Sequence, residues 1–252
     1  MNHRPKRSLG QNFLRDQLVV ENIIAAADIH PGDHVIEIGP GQGALTKKLI
    51  EAGAAVTAIE FDSGLAAEVQ RSLGHKIRVI EADALAVDFA SLTPNPPVKL
   101  VANLPYNIST PILRRLIDAR DLFSTLVLMF QREVVDRITA PPGGSDRGYL
   151  SVLTEMAFET ERLFDVPPTA FYPVPKVWSA IVRLRPRERT LLEQKVTEVA
   201  SRAFSQKRKT LANNLKRTSP SISNVIRDIG LAANCRAEEL SLDDWLHLAA
   251  NL

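Results

Sequence analysis

One cysteine, Cys235, stands in 252 residues, so no disulfide can form within the chain. The five histidines are scattered, and neither they nor Cys235 fall at metal-ligand spacing. The chain is therefore expected to hold no metal and to suit a reducing cytoplasm. No run of about 18 apolar residues is present. The start "MNHRPKRSLGQNF" is basic but has no apolar stretch behind it. Neither a membrane span nor a signal peptide is expected, and the protein should be soluble. Acidic residues are missing from two stretches. Residues 1–15 hold Arg4, Lys6, Arg7 and Arg15, and residues 201–217 hold Arg202, Lys207, Arg208, Lys209, Lys216 and Arg217. A run of cations is often only a solvated face, but two acid-free patches in a chain of net charge +2 favour a polyanionic partner.

What is present is enough apolar material, 45% of the residues, to bury a sizeable core in one large domain or in a domain with an appendage. Short β-rich runs alternate with amphipathic segments: "HVIEIG" (34–39), "AVTAIEF" (55–61), "IRVIEAD" (77–83), "VKLVANL" (98–104) and "TLVLMF" (125–130). This alternation predicts a parallel sheet with helices on both faces. "ETERLFDV" and "WSAIVRLRP" follow without a convincing helix between them and are expected to pair as an antiparallel edge hairpin. After Pro186 the character changes. Leu192, Val196, Val199, Ala200 and Ala203 recur at helical spacing, and Ser241 with Asp244 forms a capping-box pattern. The expected division is an α/β domain over residues 1–186 and a small all-helical domain over 187–252, for which RNA binding is the expected role.

"EIGPGQGALT" follows the first strand and opens a helix, so Gly39, Gly41 and Gly43 allow the backbone to turn tightly and approach a ligand. Gly39, Gly41 and Ala44 also fit the dinucleotide pattern, while no Walker lysine follows. The ends of the later strands narrow the choice. Glu60 closes the second, about 20 residues past the glycines, where an acid accepts hydrogen bonds from ribose hydroxyls. Asp83 closes the third and can accept from an adenine amino group. Asn103 closes the fourth, at the edge where open α/β sheets bind ligands. A nicotinamide enzyme would share the glycines and the ribose acid but would need a hydride-transfer partner where this chain has "NLPY".

In order and spacing, "EIGPGQG", "EFD", "EADAL" and "NLPY" resemble the motifs of the S-adenosylmethionine-dependent adenine methyltransferases. "GQNFL" (10–14), "NLPYNIST" (103–110), "FQREVVDR" (130–137) and "FYPVPKVWSAIVRL" (171–184) resemble the bacterial small-subunit ribosomal RNA adenine dimethyltransferases in particular. The resemblance implies a Rossmann-like methyltransferase sheet with a small C-terminal helical domain. It further implies S-adenosylmethionine as cofactor, with contacts at Asn12, Leu14, Gly39, Glu60, Asp83 and Asn103 beside the glycine turn at Gly41. The implied reaction is transfer of two methyls to the 6-amino group of each of two adjacent adenines, in a hairpin loop near the end of small-subunit RNA.

An adenine amine is a poor nucleophile because its lone pair is delocalised into the ring. The Asn103 side-chain oxygen and, by family analogy, the Leu104 carbonyl would orient it, Pro105 restricting its neighbour. Tyr106 would stack on the flipped base, with Phe171 as the second wall. The RNA contacts are expected at Arg4, Lys6, Arg7, Lys207, Arg208 and Lys209, the last three on a helix buried along Leu211 and Leu215. The expected partner is small-subunit RNA within a pre-ribosomal particle, bound by a monomer. Arg147 departs from the aromatic expected before Gly148 and bears on the loop from 140 to 148. Rival readings are the large-subunit enzymes that confer macrolide resistance, mitochondrial relatives with a transcription role, and a non-catalytic ribosome assembly factor.

Overall fold

The computed structural model describes residues 5–6, 10–93 and 95–252, so Arg4 and Arg7 lie outside the described residues. In chain order the elements are β1 (Phe13–Leu14), α1 (Gln17–Ala27), β2 (His34–Ile38), α2 (Ala44–Glu51), β3 (Ala55–Glu60), α3 (Ser63–Leu73), β4 (Ile77–Glu81), β5 (Val98–Asn103), α4 (Ser109–Asp118), β6 (Phe123–Gln131), α5 (Arg132–Ile138) and α6 (Tyr149–Ala157). They continue with β7 (Phe158–Val166), β8 (Phe171–Tyr172), β9 (Ser179–Pro186), α7 (Glu193–Ala203), α8 (Leu211–Leu215), α9 (Ile222–Asp228) and α10 (Leu242–Ala250). None of the described helices is long and apolar enough to cross a membrane.

Seven strands form one sheet in the order β4-β3-β2-β5-β6-β9-β7. The first five run parallel and β9 lies antiparallel to β6. Parallel strands covered on both faces need continuous apolar runs, and Val35, Ile36, Leu100, Val101, Leu126 and Val127 are at most 1% exposed. From β2 the chain steps to β3 and β4 on one side and then crosses to β5 on the other. The carboxyl ends of β2 and β5 therefore flank the point where strand order reverses, which is where open sheets bind ligands. The two late runs expected as a hairpin do neighbour each other. The second of them, β9, slots inside against β6, and only β7 is left at the edge. The compositions explain the choice: Ser179–Val182 and Leu184 of β9 are buried, whereas β7 carries the exposed Glu159, Glu161, Arg162 and Asp165.

Two compact units emerge. The first holds residues up to Val135 and Glu159–Pro186; the second holds Asp136–Phe158 and Arg187–Leu252. The break after Pro186 lies where the composition changes, but residues 136–158, read from the sequence as part of the α/β domain, group with the helical tail. The reason is packing: Val152 and Met156 of α6 share a core with Val196, Ala200, Leu211, Leu215, Trp245 and Leu248. Arg147 is the polar fastening of that unit. Its side chain is 1% exposed, donates to the carbonyls of Ala140 (2.9 Å) and Leu240 (3.0 Å), and pairs with Glu155 at 2.6 Å. The arginine that departs from the expected aromatic thus orders the loop it stands in. In α10, Ser241 and Asp244 make the expected capping box.

A further difference concerns the basic tail. α7 ends at Ala203 and α8 begins at Leu211, capped by the Thr210 hydroxyl, so Lys207, Arg208 and Lys209 sit in the connecting turn and not on a helix. Leu211 and Leu215 are buried one turn apart as the spacing implies.

Candidate active site

Each chemically interesting side chain stands at the carboxyl end of a parallel strand or on the segment leading into β1. The turn after β2 carries Gly39 and Gly41, both at positive φ. At Gly41 the need for glycine is also steric: an added Cβ would stand 3.1 Å from the Phe13 ring. Its amide donates to Glu60 Oε2 at 3.1 Å, and the Asp62 amide donates to Glu60 Oε1 at 2.9 Å. The acid at the end of β3 is thereby oriented across the glycine turn. Burial holds its carboxyl above the usual range, while those two amide bonds pull the other way.

Asn12, Leu14, Gly39, Gly41, Glu60, Asn103, Leu104, Pro105 and Tyr106 all line one open cleft. Asp83 lines an adjoining hollow together with Glu60, Phe61, Pro105, Gln11 and Asn107. Asp83 caps the turn that follows it, accepting from the Leu85 amide at 2.8 Å. That turn is held from below by Arg115, whose guanidinium donates to the carbonyls of Leu85 and Val87. One line of acceptors therefore runs along the sheet edge from Asp83 through Glu60 to Asn103, with the glycine turn at its centre.

Asn103 is placed from the far side of the chain. Its Nδ2 donates to the Asn12 carbonyl at 3.4 Å, which leaves Oδ1 with no hydrogen-bond partner among the described residues. Pro105 follows at φ −57° and ψ 134°, and the Leu104 amide is taken up by the Met129 carbonyl at 3.3 Å. Tyr106 is tied by its hydroxyl to Ser179 Oγ at 2.7 Å, and Ser179 is fully buried. Burial raises the Tyr106 phenol above its ordinary value, so it stays protonated at neutral pH. The result is a carboxamide oxygen and an aromatic ring fixed side by side at the end of β5.

Phe171 is placed otherwise than expected. It pairs with Leu14 across the short β1/β8 ladder, is 3% exposed and belongs to the main core with Val20, Ile23 and Ile181. Its ring is covered by that core and does not line the cleft. Lys6 is exposed and forms an ion pair with Asp62 at 2.9 Å. In the helical unit Lys207 donates to the Ser145 carbonyl at 2.8 Å, and Arg208 is exposed. Lys209 lines an open groove with Arg202, Lys216, Arg217 and Asn213 and no carboxylate.

Four side chains that sequence reasoning passed over complete the first-unit site. Gln11 donates to Asp62 at 3.0 Å and accepts from the Lys6 amide, and the buried Asp62 also caps α3 by accepting from Gly64. Both residues lie inside stretches quoted as motifs, "GQNFL" and "EFD", but their pairing spans 51 residues. Ser179 lies inside "VWSA" in the same way. Glu37, in "EIG", is 1% exposed, lines the cleft, and has its Oε2 unpaired among the described residues. Burial, with the nearby charge of Glu60 adding to it, pushes its carboxyl up to about 8.

The chain matches the family described as "Ribosomal RNA adenine dimethylase" over residues 2–252. It is 46% identical to the ribosomal RNA small subunit methyltransferase A of Syntrophotalea carbinolica, with 99% of this chain and 97% of that protein covered. It is 42% identical to that of Methylococcus capsulatus, with 100% and 99% covered. Among solved structures it resembles a dimethyladenosine transferase from Plasmodium falciparum, at a TM-score of 0.79 and 30% identity over 94% of this chain and 95% of that one. It also resembles the 23S rRNA methyltransferase ErmE, at 0.76 and 29% over 96% and 99%. The acceptor line, the glycine turn and the carboxamide beside an aromatic ring thus occur in a chain that belongs to the ribosomal RNA adenine dimethylase family.

Proposed function

We propose that the protein dimethylates the 6-amino groups of two adjacent adenines in small-subunit ribosomal RNA, with S-adenosylmethionine as the methyl donor. The observation that carries this is the unpartnered Asn103 Oδ1 at the end of a line of acceptors fitted to a nucleoside. Glu60 suits ribose hydroxyls and Asp83 an adenine amino group. The turn through Gly39 and Gly41 gives the close backbone approach that such a ligand needs. The donor supplies an electrophilic methyl group; this chain supplies the alignment.

In this reading Asn103 Oδ1 and the Leu104 carbonyl accept the two amine hydrogens, which turns the nitrogen lone pair toward the methyl. Tyr106, braced by Ser179, stacks on the extruded base. No carboxylate is needed, because the amine can release its proton after transfer. Alignment of this kind can supply on the order of 7 to 11 kcal/mol of the barrier. The basic groove around Lys209, Lys216 and Arg217 is suited to RNA phosphates on a pre-ribosomal particle. The likeness to a 23S enzyme offers a second reading, large-subunit RNA. Identities of 41–46% to small-subunit enzymes against 29% to that structure favour the first. The test is transfer of radiolabelled methyl onto small- and large-subunit particles from a strain lacking the enzyme, followed by nucleoside analysis. Dimethyladenosine in small-subunit RNA alone is the expected result, and label confined to the large subunit would overturn it.

A further inference from the structure

The exposed apolar side chains of the first unit include four within one short segment, the last residue of β8 and three in the loop that leads from it to β9. Tyr172 is 50% exposed, Val174 61%, Val177 42% and Trp178 44%. Burying such groups is favourable, so an open aromatic at each end of one loop calls for a reason. Each of the two rings carries an arginine. The Arg15 guanidinium lies 4.2 Å from the Tyr172 centroid, and that of Arg132 lies 6.0 Å from the Trp178 centroid.

Both ends of the loop are fastened to the site described above. Tyr172 pairs with Phe13 of β1, next to Leu14 in the cleft wall. Trp178 accepts the Arg132 amide on its carbonyl at 2.9 Å and directly precedes Ser179, the residue that braces Tyr106. The loop therefore borders the place where an extruded adenine would sit, without lining the cleft itself. Rings paired with arginines suit one class of occupant above others. Bases stack on the rings and the guanidinium groups meet the backbone phosphates, as on single-stranded nucleic-acid platforms.

We propose that Tyr172 and Trp178, with Arg15 and Arg132, form a stacking platform for unpaired nucleotides flanking the adenine in the cleft. The occupant is single-stranded RNA. This rests on the reading of the cleft as an adenine site, and it adds the surface that would keep the neighbouring bases splayed while one base is held for reaction.

The chain has two tryptophans, and Trp245 is fully buried in the helical unit, so a base that stacks on the exposed ring reports through Trp178. Full-length protein is titrated at low salt with an adenine-containing oligoribonucleotide and with an abasic oligomer of equal length. The base-bearing oligomer should quench fluorescence and the abasic one should not. Trp178→Phe should abolish the quenching while keeping the affinity, whereas Trp178→Ala and Tyr172→Ala should each weaken binding about tenfold. Equal quenching by the abasic oligomer, or unchanged affinity in both alanine variants, would overturn the platform, including in favour of a protein partner for this face. The methyl-transfer assay on particles is read separately. Normal dimethylation with unchanged oligomer affinity in both alanine variants sinks the platform alone, and quenching without small-subunit methylation sinks the cleft reading and leaves an RNA-binding face.

Discussion

Glu37→Gln tests the buried carboxyl under the glycine turn. The ordinary value for this group is 4.5 and the fold raises it to about 8, because burial penalises the charged form and Glu60 adds repulsion. Below the ordinary value both folded and unfolded chains carry the proton, and the full stability is present. Between 4.5 and about 8 the unfolded chain has lost the proton that the folded chain keeps. Stability then falls with rising pH by up to about 1.4 kcal/mol per unit, and the loss is complete once the pH passes the folded value. From pH 5 to pH 7 the fall amounts to roughly 2 to 3 kcal/mol, a large share of a typical total of about 5 to 15. Glutamine keeps the shape and cannot ionise, so this part of the slope disappears in the variant. Urea denaturation at pH 5, 6, 7 and 8, followed by circular dichroism, should show the variant gaining on the parent by that amount between pH 5 and pH 7. Parallel stability profiles would refute the reasoning and mean that Glu37 is already ionised in the folded protein.

Asn103→Ala removes an acceptor that matters most as the amine pyramidalises, so single-turnover methyl transfer should fall far more than cofactor or RNA affinity; a near-normal rate would count against the assignment. Glu60→Ala and Asp83→Ala should each weaken S-adenosylmethionine binding by roughly 1.5 to 3 kcal/mol in calorimetry, and unchanged affinity in both would remove them from the cofactor site. Replacing Lys209, Lys216 and Arg217 by Gln should lower the slope of log affinity for the particle against log salt by roughly 0.7 to 0.9 per lost phosphate contact. Cofactor affinity should stay as it was, and an unaltered slope would move the RNA grip elsewhere. Arg147→Met leaves the carbonyls of Ala140 and Leu240 without their buried donor, so the helical unit should lose roughly 2 to 4 kcal/mol in urea denaturation; a loss below about 1 would mean that water replaces the guanidinium.

By itself the sequence determined the parts whose signals are local. Alternating β-rich and amphipathic runs determine a parallel sheet, because each strand must be apolar on both faces and each crossover helix on one. The glycine turn, Glu60, Asp83 and Asn103 were legible because a doubly wound sheet brings successive strand ends to one edge, so order along the chain becomes order along the cleft. The capping box at Ser241 and Asp244 spans four residues and needs no tertiary information. Tertiary structure decided what depends on partners far away in the chain. The Asn12 carbonyl orients the Asn103 amide across 91 residues, and Gln11 reaches Asp62 across 51. Arg147, set apart in the sequence only as a departure from an expected aromatic, became a buried fastening because it meets the Leu240 carbonyl 93 residues on. The motif around Phe171 implies a wall of the base pocket, but pairing of β8 with β1 buries its ring in the core and leaves Tyr172 outside. Strand alternation makes one of two neighbours face inward, and only the partner strand fixes which. Lys207, Arg208 and Lys209 carry no helix-breaking residue of their own; the Thr210 cap, by starting α8 one residue later, leaves them in a turn.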